Sequence, residues 1–447
     1  MKKRVKKRYS LFLLLILVLL ITPALKATDI DFDGETITFG SFWGFNSFIE
    51  GHEDSEPEDI EHLALIEEKF NVNIEFSDMI TNAIHDAFVP SVMAGDPVAD
   101  VLVMPKGRVI NNFLTENILY PLDDFLDDEY FASLPVGHGE LAKDYLEVAG
   151  NYHMFSVNGS HIEQRKLVGS AMHLLWNKDF FERENLPNLY ELYEDGDWTW
   201  DKMLEIAEMA TQDTNNDENI DQWGLSYWHP WIANPNIFSW FATNGGSVAE
   251  FIDGKVTYTL ASKENVQVLT FLRELHDYVG GRNQTFFAGD SAMLMLPSGG
   301  IAGANANMSD DYGVMLMPIG PNAEENTVLG SLDVMVLPIT TRRPKDLIEL
   351  SNALFKLTDK YIDNMDTYID DLLVERAMFM RDRESLNIFR DIFTNFVAEE
   401  DYSTFVPQQS IGPKVGAVVR GEENPLAALQ SLEPEVQSIL DDNFNRE

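Results

Sequence analysis

No cysteine occurs anywhere in the 447 residues, which excludes disulfides and thiolate metal sites outright. Basic residues are also scarce, 32 Lys and Arg against 74 Asp and Glu. Phosphate binding needs a cationic stripe, so nucleic acid is excluded as a partner. No apolar run approaches the roughly 20 residues that span a bilayer. The longest near the start, Leu11 to Ile21, has eleven residues and ends at Thr22-Pro23. It follows the cationic stretch Lys2, Lys3, Arg4, Lys6, Lys7 and Arg8, the order of a signal peptide. Residues 1–27 are therefore expected to be an export signal, cleaved after Ala27 or Ala24; an uncleaved N-terminal anchor is the alternative.

What is present is core material. Apolar residues make up 45% and aromatics 11%, too much for a disordered chain, and the length exceeds what one core usually supports. Without the seven basic residues of the export segment, 25 basic residues face 74 acidic ones, a net charge of −49. The acids are dispersed, as in Asp123-Asp124 and Glu399-Glu400-Asp401, and read as a solvated surface whose repulsion salt screens; attraction of a cationic ligand is the other reading.

Strand and helix signals alternate. Thr36 to Trp43 reads as a buried strand, Glu58 to Phe70 as an amphipathic helix, Val72 to Phe76 as a strand. A helix near His85 to Met93 leads to a strand from Ala99 to Met104, a succession that predicts a parallel sheet covered on both faces. Further on, Trp200, Met203, Leu204 and Ala207 line one helical face behind Thr199 as N-cap. Asn265 to Val279 is a second helix, Val334 to Ile339 a strand, and Pro344 opens another helix. The C-terminus from about Arg381 is helical, with breaks expected at Pro407, Pro413 and Pro425.

Seven segments share an order with one family. They are Phe39-Gly40-Ser41-Phe42-Trp43-Gly44, Ile66 to Ile74, Met93-Ala94-Gly95-Asp96-Pro97 to Val101, Leu119-Tyr120-Pro121-Leu122-Asp123-Asp124, Trp176-Asn177-Lys178-Asp179-Phe180-Phe181, Phe287-Ala288-Gly289-Asp290-Ser291-Ala292-Met293, and Tyr312-Gly313-Val314 to Pro321. With Gly196-Asp197-Trp198-Thr199-Trp200-Asp201 and Trp223-Gly224 between them, the chain resembles the extracellular solute-binding proteins, family 1, the sugar-capturing receptors of ABC importers. Two departures stand out. Ser298-Gly299-Gly300 replaces the Gly-x-Trp that stacks a sugar in many members, and the lipid-modified cysteine that tethers many of them is missing.

The resemblance implies an α/β fold of the type II periplasmic-binding-protein class: two α/β lobes, a hinge and an interlobe ligand cleft. The implied division is 28–149 for the first lobe, 150–329 for the second, 330–380 back in the first, and 381–447 as a C-terminal helical part of the second. It further implies a binding protein and not an enzyme, periplasmic or extracellular, acting as a monomer; the missing cysteine makes it not a lipoprotein. Its partners would be a carbohydrate, in particular an oligosaccharide, and the subunits of an ABC permease. A surface receptor that senses without transport, or a secreted carbohydrate-active enzyme, are the rival readings.

A sugar offers hydroxyls around apolar C–H faces, so a site needs flat aromatic rings plus a few fixed polar groups. Trp43, at the end of the first strand, faces either the cleft or the core, and Asn46 binds a hydroxyl or serves a turn. Lys106 and Arg108 follow the third strand as ligand contacts or loop residues. Trp231 is the best platform of an aromatic cluster whose Trp228 and Trp240 are ligand contacts or, more often for such residues, core. Ser298 and Gly299 offer backbone N–H groups or form a tight turn; Ser331 and Asp333 face the cleft or form a hinge. Asp213, Asn215, Asp217, Asn219 and Asp221 space oxygen ligands like the start of a Ca²⁺ loop, with Glu218 where the sharp turn needs glycine and Gly224 where a bidentate Glu belongs. No cofactor is required, and a structural Ca²⁺ is the one ion the spacing admits. No zincin spacing, nucleophile elbow, P-loop or dinucleotide fingerprint appears.

Overall fold

The computed structural model describes residues 30–53, 55–134, 142–143, 145–156, 172–228, 236–324, 326, 328–330, 333–355, 373–374, 377–391, 396–398, 402 and 405–445. The export segment, Trp231 and Ser331 lie outside the described residues.

Two sheets organise the chain. The first contains β1 (Thr36–Ser41), β2 (Asn73–Phe76) and β3 (Val101–Pro105). The second contains β4 (Met172–Asn177), β5 (Trp223–Tyr227), β6 (Val279–Arg282), β7 (Ser291–Pro297) and β8 (Tyr312–Met315); β9 (Asp333–Val336) then returns to the first. The first sheet has the order β9-β3-β1-β2, with β1 parallel to both neighbours and β9 antiparallel to β3. The second has the order β6-β5-β7-β4-β8, with β5, β6 and β7 parallel and β4 antiparallel to β7 and β8. The architecture is mixed α/β with two lobes' worth of sheets and helices.

The central strands read as continuous apolar runs because helices cover both faces. Every residue of β4 is buried. Gly224 on β5 shows how close that cover is: a Cβ there would stand 2.5 Å from Ala207 Cα in the helix Trp200–Ala210. That close approach explains the Trp223-Gly224 pair as packing.

Strand ends fall one to three residues from expectation, as at β1, which stops at Ser41 and leaves Trp43 outside the ladder. The helix expected over Asn265 to Val279 runs Lys263–Leu275, and Val279 instead starts β6. Pro413 breaks nothing; it sits inside the helix Gln408–Val419, whose buried Val415 and Val418 hold it to the lobe despite the lost backbone bond. The first lobe also extends past the expected crossing near 150, since Phe155 bridges Met335 of β9.

The Trp-Asn-Lys-Asp segment is a structural knot. Asn177 caps its own helix by accepting from Phe180 N–H at 2.9 Å, and its amide donates to Asp310 Oδ2 at 2.9 Å. Lys178 Nζ bridges Asp311 Oδ2 at 2.7 Å and Asp382 Oδ2 at 2.6 Å. Asp382 also accepts from Tyr190 OH and from Ser385 N–H, and Val314 N–H of β8 donates to Ser385 Oγ at 3.0 Å, which fastens the helix Arg383–Asp391 to β8.

Burial alone would lower the Lys178 pKa, but hydrogen bonds to Asp311 and Asp382 and their charge outweigh it and raise it above 10.5. Burial pushes Asp382 up, yet Lys178 and the Ser385 N–H outweigh it and hold its carboxyl below 3.8. A raised lysine stabilises fully below 10.5 and less as pH climbs through its folded value; a depressed carboxyl stabilises above 3.8 and less as pH falls through its own. Lys178→Met should therefore lower stability by about 1–3 kcal/mol in urea unfolding near neutrality. The gap to wild type should narrow at both pH extremes; a pH-independent gap would refute the pairing.

Candidate functional site at the strand ends

Register places the candidate residues. Trp43 follows the C-terminal end of β1, Lys106 and Arg108 follow that of β3, and Asp333 stands opposite Pro105 at the start of β9. All four lie at one end of the first sheet. β2 and β3 lie on opposite sides of β1, so the chain reverses its order of addition there, and open α/β sheets bind ligands at such a crevice. In the second sheet, Trp228 follows β5, and Ser298 and Gly299 follow β7, with Pro297 opposite Met172.

The first-lobe end has a usable ring. Trp43 is 50% exposed, its indole edge-on to Phe42 at 4.8 Å. Arg108 is exposed, with its guanidinium 4.6 Å from the Phe42 centroid and a 3.4 Å hydrogen bond to Asn82 Oδ1. The ring, the guanidinium and the partly buried Asn46 thus share one neighbourhood of loops after β1 and β3.

Two candidates prove structural. Lys106 is neither a solvated loop residue nor an exposed contact: it is 3% exposed, donates to the Tyr145 carbonyl, and sits 4.2 Å from the centre of the Tyr145 ring. Cation–π contact and a carbonyl acceptor compensate its desolvation. Trp240 is fully buried against Phe271 at 5.6 Å and belongs to the second-lobe core. Its helix, Asn236–Ala242, turns that face inward, which an aromatic count along the sequence cannot distinguish.

Trp228 is half-buried and lies over the helix Ile301–Asn307, where a Cβ on Gly303 would meet its ring at 3.0 Å. Its backbone is pinned by N–H donation to the Met295 carbonyl at 2.9 Å, and its own carbonyl accepts from Arg282 at 2.8 Å. Ser298 is buried with its Oγ 3.3 Å from His173 Nδ1, while Gly299 is exposed. Asp333 is buried. His173, in register with Leu296, is a strand-end residue that sequence spacing gave no reason to nominate.

The acidic loop closes on itself. Asp213 Oδ2 accepts from Glu218 N–H at 2.8 Å, Asn215 Oδ1 from Asp217 N–H at 2.9 Å, and Asp217 Oδ1 from Asn219 N–H at 2.9 Å. Asp221 Oδ1 accepts from Thr214 N–H at 2.9 Å, and that bond leads the causes holding its carboxyl below 3.8. Among the described residues, no three His, Asp or Glu side chains cluster closely enough to hold a metal ion. Glu218 takes the sharp turn itself at φ 71°. Calcium is thus supported by spacing alone. Melting temperature should be the same with and without EDTA; a drop in EDTA would assign the ion.

Two substitutions separate ring platform from core. Trp43→Ala should weaken ligand binding roughly tenfold or more, more than about 1 kcal/mol, with little change in melting temperature. Trp240→Ala should instead cost about 3–5 kcal/mol of stability. The reverse pattern would contradict the placement.

Comparison with known proteins agrees with the geometry. The family described as bacterial extracellular solute-binding protein matches residues 58–354. The sn-glycerol-3-phosphate-binding periplasmic protein UgpB of Escherichia coli is 24% identical over 205 residues, 43% of this chain and 44% of that protein. The chain thus spans less than half the length of the curated relatives it matches. Among solved structures, a cyclo/maltodextrin-binding protein complexed with maltotetraose superposes with a TM-score of 0.64 at 14% identity, covering 90% of this chain and 96% of that one. UgpB from Mycobacterium tuberculosis in complex with glycerophosphocholine gives 0.58 at 16% identity, covering 91% and 98%. At such identities these likenesses concern the fold, that of type II periplasmic binding proteins. Among the described residues, no helix is long and apolar enough to cross a membrane.

Proposed function

Because the chain belongs to the bacterial extracellular solute-binding proteins, a family of binding proteins and not of enzymes, we propose that it captures a carbohydrate between its lobes for an ABC permease. An oligosaccharide is the favoured ligand. The observation that carries this reading is Trp43: a tryptophan half open to solvent at the switch point of a parallel sheet, with polar loop residues beside it. Such a ring suits the C–H face of a pyranose. Closure would follow from differential affinity, since a ligand that touches both lobes only when they approach stabilises that state alone. The protein is read as an exported monomer, working at the cell surface or in a periplasm without a lipid anchor.

A second ligand class has one observation in its favour. Arg108 is an exposed cation at the same strand ends in a strongly acidic chain, and would suit a phosphate-bearing polyol such as the one named for UgpB.

A thermal-shift and calorimetry panel of neutral oligosaccharides, glycerol 3-phosphate and glycerol phosphodiesters, with product analysis, tests both. The expected result is stabilisation by a neutral oligosaccharide with no product released. Stabilisation by the glycerol phosphates alone would transfer the assignment to the second class. Steady release of shorter sugars would defeat the receptor reading.

A further inference from the structure

Two hairpins, one fastened to each lobe, touch. In the first, Glu147–Val148 pairs with Asn151–Tyr152 across a turn at Ala149 and Gly150, whose φ values are 51° and 79°. Two successive positive φ angles define the tight hairpin turn that prefers Asn-Gly, so Ala149 is held in a left-handed conformation costly for a residue with a Cβ. This hairpin belongs to the first lobe: Leu122 N–H donates to the Tyr152 carbonyl at 2.8 Å, and Tyr152 N–H to Asp123 Oδ1 at 3.1 Å.

The second hairpin pairs Ala249–Ile252 with Lys255–Tyr258 across Asp253-Gly254, at φ 50° and 80°. It belongs to the second lobe, where Tyr258 OH donates to the Leu429 carbonyl at 2.6 Å and Val256 N–H to Asn445 Oδ1 at 2.9 Å. Phe251 projects from it, 44% exposed, and comes so near the other turn that a Cβ on Gly150 would stand 3.2 Å from its ring. Glycine lets the ring rest on bare backbone.

We propose that the Phe251–Gly150 contact is an interlobe prop that favours the uncovered cleft and so sets apparent ligand affinity without touching ligand. It rests on the hinged-receptor reading. The contact is made in a structure where Trp43 keeps half its surface in solvent, so it counts toward that arrangement. Apparent affinity scales with the fraction of molecules competent to close. Removing the prop raises that fraction, and the dissociation constant falls by the same factor.

The absence of cysteine makes the test clean. Spin labels at Ile80→Cys and Gly299→Cys, exposed near the strand ends of the two lobes, report the cleft width in ligand-free protein. Phe251→Ser should move that distribution to shorter distances and, without labels, tighten binding of the best oligosaccharide about three- to tenfold. Ile252→Ser, whose side chain leaves the opposite face of the same strand, should change neither. An unmoved or longer distribution in Phe251→Ser, or an equal shift in Ile252→Ser, overturns the prop. If no saccharide binds any variant, the receptor reading falls while the ligand-free distances still decide the prop.

Discussion

The antiparallel pairing of β9 with β3 is the contact on which the architecture depends. The chain builds three parallel strands, leaves to make a second sheet of five, and comes back with Asp333 set against Pro105 and Val336 against Leu102. That return ties two separately packed sheets into one molecule through the connecting segments. It also puts a buried carboxylate at the strand ends where Trp43 and Lys106 emerge. A shift of one residue in this register would turn every side chain of β9 over, placing Asp333 and Met335 on the wrong face of a buried strand.

Much of the scaffold was legible from the chain because its signals are local. Apolar runs of strand length and Thr199 ahead of a 3.6-residue pattern each act within a few residues. Several family landmarks turn out to be supports. Trp198 Nε1 donates to the Leu316 carbonyl at 2.8 Å, Trp200 Nε1 to Thr243 Oγ1 at 3.1 Å, and the Trp200 ring stacks on Phe271 at 4.6 Å. Together with Asn177 and Lys178 they join β4, β8 and the helices behind them. Their order in the sequence identifies the fold.

The site was less legible, for a physical reason. Whether a tryptophan is platform or core depends on which way its helix or loop faces, and that is decided by partners far along the chain. Trp43 lies just past a strand end and Trp240 against Phe271, and the partner that buries Trp240 is thirty-one residues away in the chain. Lys106 reads as a surface cation until Tyr145, thirty-nine residues away, supplies both a ring and a carbonyl. Pro413 misleads in the opposite sense, because a break signal was overruled by buried valines on the same helix.

The proposed ligand capture requires two lobes that approach when a guest bridges them. Small-angle scattering of wild-type protein, alone and saturated with the tightest-binding saccharide of the panel, measures that approach directly. A smaller radius of gyration is expected in the saturated sample. An identical scattering profile at full occupancy would contradict it.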